Sequence, residues 1–340
     1  MKRVFVSESI TSGAWADRPL EGSLAREGQA MLVALAEDLA QDPQTRMVTS
    51  WDSRLGKFPV DETEVVEVEN TEQADETFGR LAASSDRTLV IAPEIDRLLE
   101  QRCRMVHEAN GSWVGCSADT IALCSDKLQT TEHLQQHGLP VVETRTADQP
   151  RPDSPQVVWK PRHGAGSIGI STTPRNAPSP GPDHVIQPLV SGRPVSVAVI
   201  CSNECHIALP VATQHLSQDG HFNYQGGRVP CLDNDSPESQ SVRSLALAAC
   251  NSLEQPRGWI GIDLMLMTDR SALIMEINPR LTTSFLGYRQ LTPRLPLGQV
   301  VTSPETAVAP HWDWCYTRVD PIEFTSNGTV IGRNRSLPRS

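Results

Sequence analysis

The chain has 340 residues, of which 38% are hydrophobic and 21% charged, and its formal charge is −11. That length is enough for several packed layers of ordinary globular composition. The acidic balance supplies no basic footprint for nucleic acid or an anionic membrane. The opening MKRVFVSESI breaks its apolar run at Ser7 and Glu8, and no stretch of 18 apolar residues occurs. Neither a signal peptide nor a membrane span is expected, and the expected setting is cytoplasmic. The eight cysteines form no CxxC. Cys201 and Cys205, three residues apart in strand-like sequence, read as reduced thiols rather than as a metal or disulfide pair.

The first third alternates strand and helix. Arg3–Ser7 reads as a strand, and Ser23–Ala40 as a helix with an apolar face at Leu24, Met31, Leu32, Leu35 and Leu39 and with Ser23 as N-cap. TLVIA at 88–92 is a short buried strand, a helix runs from about Ile95 to Asn110, and SWVGC at 112–116 reads as a further strand. This order predicts a doubly wound α/β domain over residues 1–116. Asp126–His137 is expected to be helical, ending at Gly138, with Leu139–Val142 extended. Short strands follow at 157–160, 169–172 and 184–189, interrupted by the proline-rich loop TPRNAPSPGPD. From Pro194 onward the pattern is strand-rich, with a helix near Glu238–Leu253. Strands at Trp259–Met267 and Ala272–Asn278 are joined by a turn at 268–271. The tail after 300 reads as irregular, with one possible hairpin at Phe324–Val330.

Two segments carry chemistry. In VVWKPRHGAGSIG a strand delivers Lys160, and Gly164, Gly166 and Gly169 follow with Ser167 among them. Glycines let backbone N–H groups approach phosphate oxygens, and a lysine adds a point charge there. The lysine precedes the glycines, so this is not a Walker A loop, and no acidic strand end follows as a dinucleotide fingerprint requires. The second segment is GIDLMLMTDRSALIMEINPR. Glu276 and Asn278 are two apart and share a strand face, and the hairpin sets Asp263 opposite them. Two carboxylates and an amide inside apolar strands suit Mg²⁺ with nucleotide phosphates. Without a cation they would bury uncompensated charge.

Taken together, these segments resemble the ATP-grasp superfamily over roughly residues 1–300. CSDKLQTTEHLQQHGLP at 124–140 is similar to the family's entry into its nucleotide domain. The strand lysine, glycine-rich loop, hinge strand and D…ExN trio then follow in the family's order. The resemblance implies an ATP-grasp fold, α/β overall, with an N-terminal Rossmann-like pre-ATP-grasp domain at 1–116. A lid subdomain at 117–190 and a metal and substrate subdomain at 191–300 would follow, with the tail at 301–340. By the same resemblance Lys127 and Lys160 contact nucleotide phosphates, and Gly164, Gly166, Ser167 and Ile168 cover the terminal phosphates. Gln187, Leu189 and Val190 belong to the adenine hinge. Asp263, Glu276 and Asn278 hold two Mg²⁺ ions, with Mn²⁺ as an alternative, and Arg280 neutralises charge on the transferred group.

ESITSG, GSLAREGQAML, YQGGRVP and INPRLTTSFLG are further similar to a branch related to tyramine–glutamate ligase, which serves methanofuran-type cofactor synthesis. That implies an ADP-forming ligase joining glutamate, through an acyl phosphate, to an aromatic amine such as tyramine or tyrosine. Its partners would be a small-molecule carboxylate and amine, with no nucleic acid or membrane; a homodimer stays open. The family often has an acidic residue after the hinge glutamine for the ribose, and here Pro188 stands there. The proline-rich loop also replaces a longer helical segment, which implies an abbreviated lid. One alternative is a biotin-carboxylase-like chemistry, although the chain has no AMKM segment. The other is a nucleotide-binding regulator without turnover, although its lysines and metal trio are intact.

Other candidates stay open. Glu8 lies after the first strand, where α/β sheets place ligands, and is either a substrate contact or a solvated loop residue. Arg26 and Glu27 read as a charged helix face. His133 and His137 have zinc spacing without a third ligand, so an exposed helix face is the expectation. His215 and His221 flank a loop. Thr282, Thr283 and Ser284 could cap a helix, touch an acyl group, or do both.

Overall fold

A computed structural model of the chain describes residues 1–20, 22–291, 296–306 and 321–331. The N-terminal part is a parallel sheet of β1 (Lys2–Glu8), β2 (Thr45–Asp52), β3 (Glu64–Val68) and β4 (Arg87–Ile91), in the order β3-β2-β1-β4. Its helices are α1 (Ser23–Leu39), α2 (Thr71–Ala83) and α3 (Leu98–Glu108). This is the doubly wound arrangement expected from the alternating pattern.

Several local expectations are corrected. Gly22, at φ +111°, is the N-cap of α1 without a side-chain cap, and Ser23 is already helical. The helix expected from Ile95 is broken, because Asp96 and Arg97 adopt φ of 52° and 58° before α3 begins. SWVGC forms only an isolated parallel bridge, Thr88 to Trp113. β2, β3 and α2 went unread in the sequence.

Two helices then lead to the middle of the chain: α4 (Ala118–Ser125), which was also unread, and α5 (Lys127–Gln136). The Asp126 carboxylate caps α5 by accepting from the N–H groups of Leu128 and Gln129. Gly138, at φ +70°, closes that segment, as a left-handed C-terminal residue should. A four-stranded antiparallel sheet follows, with β5 (Arg145–Thr146), β6 (Gln156–Pro161), β7 (Ser171–Pro174) and β8 (His184–Pro188) in the order β5-β8-β6-β7.

The largest sheet has eight strands. They are β9 (Arg193–Cys201), β10 (His206–Ala208), β11 (Ala212–Leu216), β12 (Tyr224–Val229), β13 (Gly258–Leu266), β14 (Ala272–Asn278), β15 (Ile322–Thr325) and β16 (Val330–Ile331). β9 lies between β13 and β11. The expected late hairpin exists as β15–β16, and it does more than close on itself, because β15 pairs with β12. The rest of the tail, with Cys315, lies outside the described residues. α6 (Pro237–Ser252), α7 (Phe285–Tyr288) and α8 (Leu297–Thr302) complete the helices used below.

Two apolar clusters tie the N-terminal sheet to the largest sheet, while Val157, Trp159 and Ile186 of the middle sheet form a separate small one. One runs from Phe5, Phe78 and Leu99 to Val197, Ile262 and Ile277. The other runs from Leu32, Leu35 and Trp51 to Trp259, Phe285 and Val301. α1 is further pinned by Asp38, whose carboxylate accepts from Arg289 at 2.6 and 3.0 Å and from the Gly298 N–H at 2.9 Å. No helix among the described residues is long and apolar enough to cross a membrane.

Candidate active site

The β13–β14 hairpin sets the first group of side chains. Asp263 pairs with Glu276 and Gly261 with Asn278, so the two carboxylates and the amide share a face, as the alternation predicted. The ladder shifts register just after Asp263. Asn278 Nδ2 donates to Asp263 Oδ2 at 3.1 Å, and Gln214 Nε2 on β11 donates to Asp263 Oδ1 at 2.8 Å. Burial pushes the Asp263 carboxyl up to about 7, and the neighbouring Glu276 charge adds to it. Burial also raises Glu276, but Lys127 and Lys160 outweigh it and hold that carboxyl below its usual value. Two like charges side by side on one strand pair would be relieved by a hard cation, and the all-oxygen donor set fits a divalent ion.

Opposite this hairpin stand the two lysines. Lys127 Nζ donates to Glu276 Oε1 and to the Gly164 carbonyl, both at 2.8 Å. Its position is fixed from below: Asp126 receives Arg162 at 2.7–2.9 Å, and the Lys127 N–H donates to the Arg162 carbonyl at 3.1 Å. The Lys160 ammonium, near the end of β6, has neither a hydrogen bond nor an ion pair among the described residues. Burial lowers its pKa, Glu276 and Asp263 oppose that, and Lys127 adds to it. An unpaired, desolvated ammonium facing a cleft is suited to an anion.

The loop after β6 bends through Gly166 at φ +67°, Ser167 at +61° and Gly169 at +75°. Ser167 is a non-glycine residue in the left-handed region, held there by its Oγ donating to the Phe222 carbonyl at 2.8 Å. Ile168 is 58% exposed at the tip. Loop, lysines and hairpin enclose one cleft, with about 1480 Å³ of space between atoms, open solvent included.

All of the sequence-selected residues Lys127, Lys160, Gly164, Gly166, Ser167, Ile168, Gln187, Leu189, Val190, Asp263, Glu276, Asn278 and Arg280 line this cleft. Gln187 is anchored by donating to Thr144 Oγ1 at 2.9 Å. Pro188, Val158, Met265 and Met275 add apolar wall near the hinge segment. Arg280 lies at the cleft with its charge already engaged, donating from Nε and Nη2 to the two Glu94 oxygens at 2.9 and 3.0 Å.

The structure changes the reading of several candidates. Glu27 is no member of an exposed charged face: it lines the cleft and accepts from Thr283 Oγ1 at 3.0 Å. Arg26 stays on the exposed side of α1. Glu8 is neither solvated nor at the cleft. It is 1% exposed and caps the next turn by accepting from the Ile10 and Thr11 N–H groups and the Thr11 hydroxyl. Thr282, Thr283 and Ser284 line the cleft, and Ser284 precedes α7 without a side-chain cap bond. His133 bonds to the Ser252 carbonyl and stacks on His137, while His215 and His221 lie off the cleft lining. Glu94, Gln214 and Thr144 were missed. Their partners are 186, 49 and 43 residues away, and no local pattern marks them.

This geometry can be set beside known proteins. A model of the ATP-grasp domain matches residues 124–284, and one of the pre ATP-grasp 3 domain matches residues 45–121. The chain belongs to the ATP-grasp ligase superfamily, whose members use ATP and divalent metals. It is 22% identical over 228 residues to tyramine–L-glutamate ligase of Methanocaldococcus jannaschii, covering 66% of each chain. To the same enzyme of Methanocaldococcus fervens it is 23% identical over 227 residues, covering 66% of this chain and 69% of that one. The match thus spans about two thirds of the length of these relatives. In fold it is similar to an ATP-grasp superfamily protein from Archaeoglobus fulgidus, with a TM-score of 0.69, 24% identity, and 86% and 85% of the two chains covered.

Proposed function

We propose that the protein is an ADP-forming carboxylate–amine ligase working through an acyl phosphate. The observation that carries this is the meeting, in one cleft, of the Asp263–Glu276–Asn278 trio with Lys127 and with the unpaired Lys160. In the first step a carboxylate oxygen attacks the γ-phosphorus of ATP, and ADP leaves. In the second an amine nitrogen attacks the acyl carbon, the bond to phosphate breaks, and inorganic phosphate leaves.

Lys127 and Lys160 hold phosphate oxygens and offset the charge that develops on them. Backbone N–H groups of Gly164–Ile168 cover the terminal phosphates. The segment 187–190 reads adenine through its backbone, with apolar neighbours on either side. Asp263, Glu276 and Asn278 would hold two Mg²⁺ ions, or Mn²⁺, which neutralise phosphate charge when bound. Arg280, held rigid by Glu94, adds a positive field at the transferred group. By similarity to the tyramine–L-glutamate ligases, the carboxylate is glutamate and the amine is tyramine, tyrosine or a related aromatic amine.

Oxygen transfer tests this reading. With ¹⁸O-labelled carboxylate, ATP and amine, the expected product is inorganic phosphate carrying one labelled oxygen. Label in AMP with release of pyrophosphate would instead show adenylation and overturn the proposal.

A further inference from the structure

Three carboxylates line the cleft among the described residues: Asp263, Glu276 and Glu27. The first two form the hairpin pair already described. Glu27 comes from α1, on the other side of the cleft, and the helix spacing explains how it gets there. Leu24 packs on the loop so closely that a Cβ on Gly166 would lie 2.6 Å from its Cδ2. On the same face Gly28 leaves room for Glu8, since a Cβ there would lie 2.4 Å from the Glu8 Cδ. Glu27 lies between these two contacts, three residues after Leu24, and its carboxyl reaches the cleft.

Once there, Glu27 has no ion-pair partner in contact among the described residues. One oxygen accepts from Thr283, and the other accepts no hydrogen bond among the described residues. The nearest guanidinium in the cleft, Arg280, spends its two-point contact on Glu94. Burial pushes the Glu27 carboxyl up to about 7, against the Thr283 hydrogen bond and the charges of Arg280 and Arg26. Beside it, Leu216, Phe222 and Tyr224 give the cleft an apolar wall.

We propose that Glu27 is the acceptor-binding carboxylate: it pairs with the ammonium of a primary amine whose aromatic or aliphatic body rests on Leu216, Phe222 and Tyr224. It then takes one proton from that ammonium. This rests on the ligase reading above. A primary amine is protonated near neutral pH and has no lone pair to attack with. Transfer of one proton to the Glu27 carboxylate frees the nitrogen, and the C–N bond forms as the acyl C–O bond breaks. Phosphate departs with the electron pair, and the second N–H proton leaves with it or to solvent.

The test separates the two half-reactions in the full-length protein. Hydroxylamine is uncharged near pH 7, so it can trap an acyl phosphate without an ammonium site. With tyramine and a panel of aromatic and aliphatic primary amines, Glu27→Gln should lower kcat/KM for the amine about 100-fold, as loss of a general base does. Hydroxamate formation from glutamate, ATP and hydroxylamine should stay within roughly threefold of wild type, because the activation step is untouched. The proposal is overturned if both activities fall alike, or if amide formation survives the substitution. Absence of hydroxamate and of carboxylate-dependent ADP in the wild type would sink the ligase reading itself. A Mg-ATP-induced thermal shift equal in both proteins shows that the variant is folded.

Discussion

Arg280 and Glu94 form a two-point ion pair, with contacts of 2.9 and 3.0 Å, between the turn after β14 and the loop after β4. Their side chains are only 15% and 5% exposed, so this pair is shielded from water. It fixes the guanidinium from the N-terminal sheet while Asn278, two residues before it, is one of the hairpin trio. Glu94→Ala should therefore do two things. Leaving a buried guanidinium unpaired costs on the order of 3–5 kcal/mol, readable as a lowered denaturant midpoint. Turnover should also fall more than ten-fold in the fraction that stays folded, because Arg280 loses its orientation. Unchanged turnover would show that Arg280 acts without this support.

Glu276→Gln removes a charge with little change in shape. It also turns the 2.8 Å partner of Lys127 from a carboxylate into a neutral amide oxygen. The expected result is a loss of 100-fold or more in kcat with an unchanged melting profile, since a proposed metal ligand is lost and losing charge stabilisation at a transferring phosphate typically costs that much. More than about a tenth of wild-type activity would remove Glu276 from the centre of the site.

The hairpin trio was legible because strand alternation is local: two residues apart on β14 means one face, and a four-residue turn fixes what lies opposite. Lys160 and its glycines were legible for the same reason, as a strand end followed by residues tolerant of positive φ. Glu27 was misread because a charged residue on an amphipathic helix usually faces solvent, and only the packing of Leu24 against the distant loop turns it inward. Glu94 and Gln214 were beyond reach, since their partners come from other parts of the chain. β2, β3 and α2 went unread although β2 is buried over most of its length. TRMVTSWD mixes polar and apolar residues without a clear period, and its burial comes from neighbours on both faces of the sheet. Ser23 failed as a cap because Gly22 supplies the backbone bend itself.

The glycine loop gives a paired prediction. Lys160→Ala should raise the ATP KM and lower kcat, since a phosphate contact is lost in both ground and transition states. Gly166→Val should produce a similar defect for a different reason. Its φ of +67° disfavours a β-branched residue, and the new Cβ would meet Leu24 at 2.6 Å. A Leu24→Ala, Gly166→Val double variant should recover only part of the loss, because the steric conflict is relieved while the backbone strain stays. Unchanged ATP kinetics in Lys160→Ala would take that residue out of the phosphate site.

The pH dependence of stability follows from three carboxyls, Glu8, Glu27 and Asp263, each pushed up to about 7, chiefly by burial. An acid whose folded pKa is raised holds its proton more tightly in the folded state. Its contribution to stability is complete below the unfolded value, near 4, and is lost as pH rises through the folded one. The ligand-free protein should therefore melt at progressively lower temperature from pH 5 to pH 8. Glu8, being 1% exposed and away from the cleft, isolates the effect. A shift of that size corresponds to up to about 3 kcal/mol, so Glu8→Gln should flatten the curve by a few degrees. If Asp263 holds the metal as proposed, binding competes with its proton, so the thermal shift produced by Mg-ATP should be larger at pH 8 than at pH 6. Differential scanning fluorimetry across this range, with and without Mg-ATP, reads both effects. A melting temperature that climbs with pH in the ligand-free wild type would contradict the sign of the argument. A Mg-ATP shift independent of pH would remove Asp263 from the metal set.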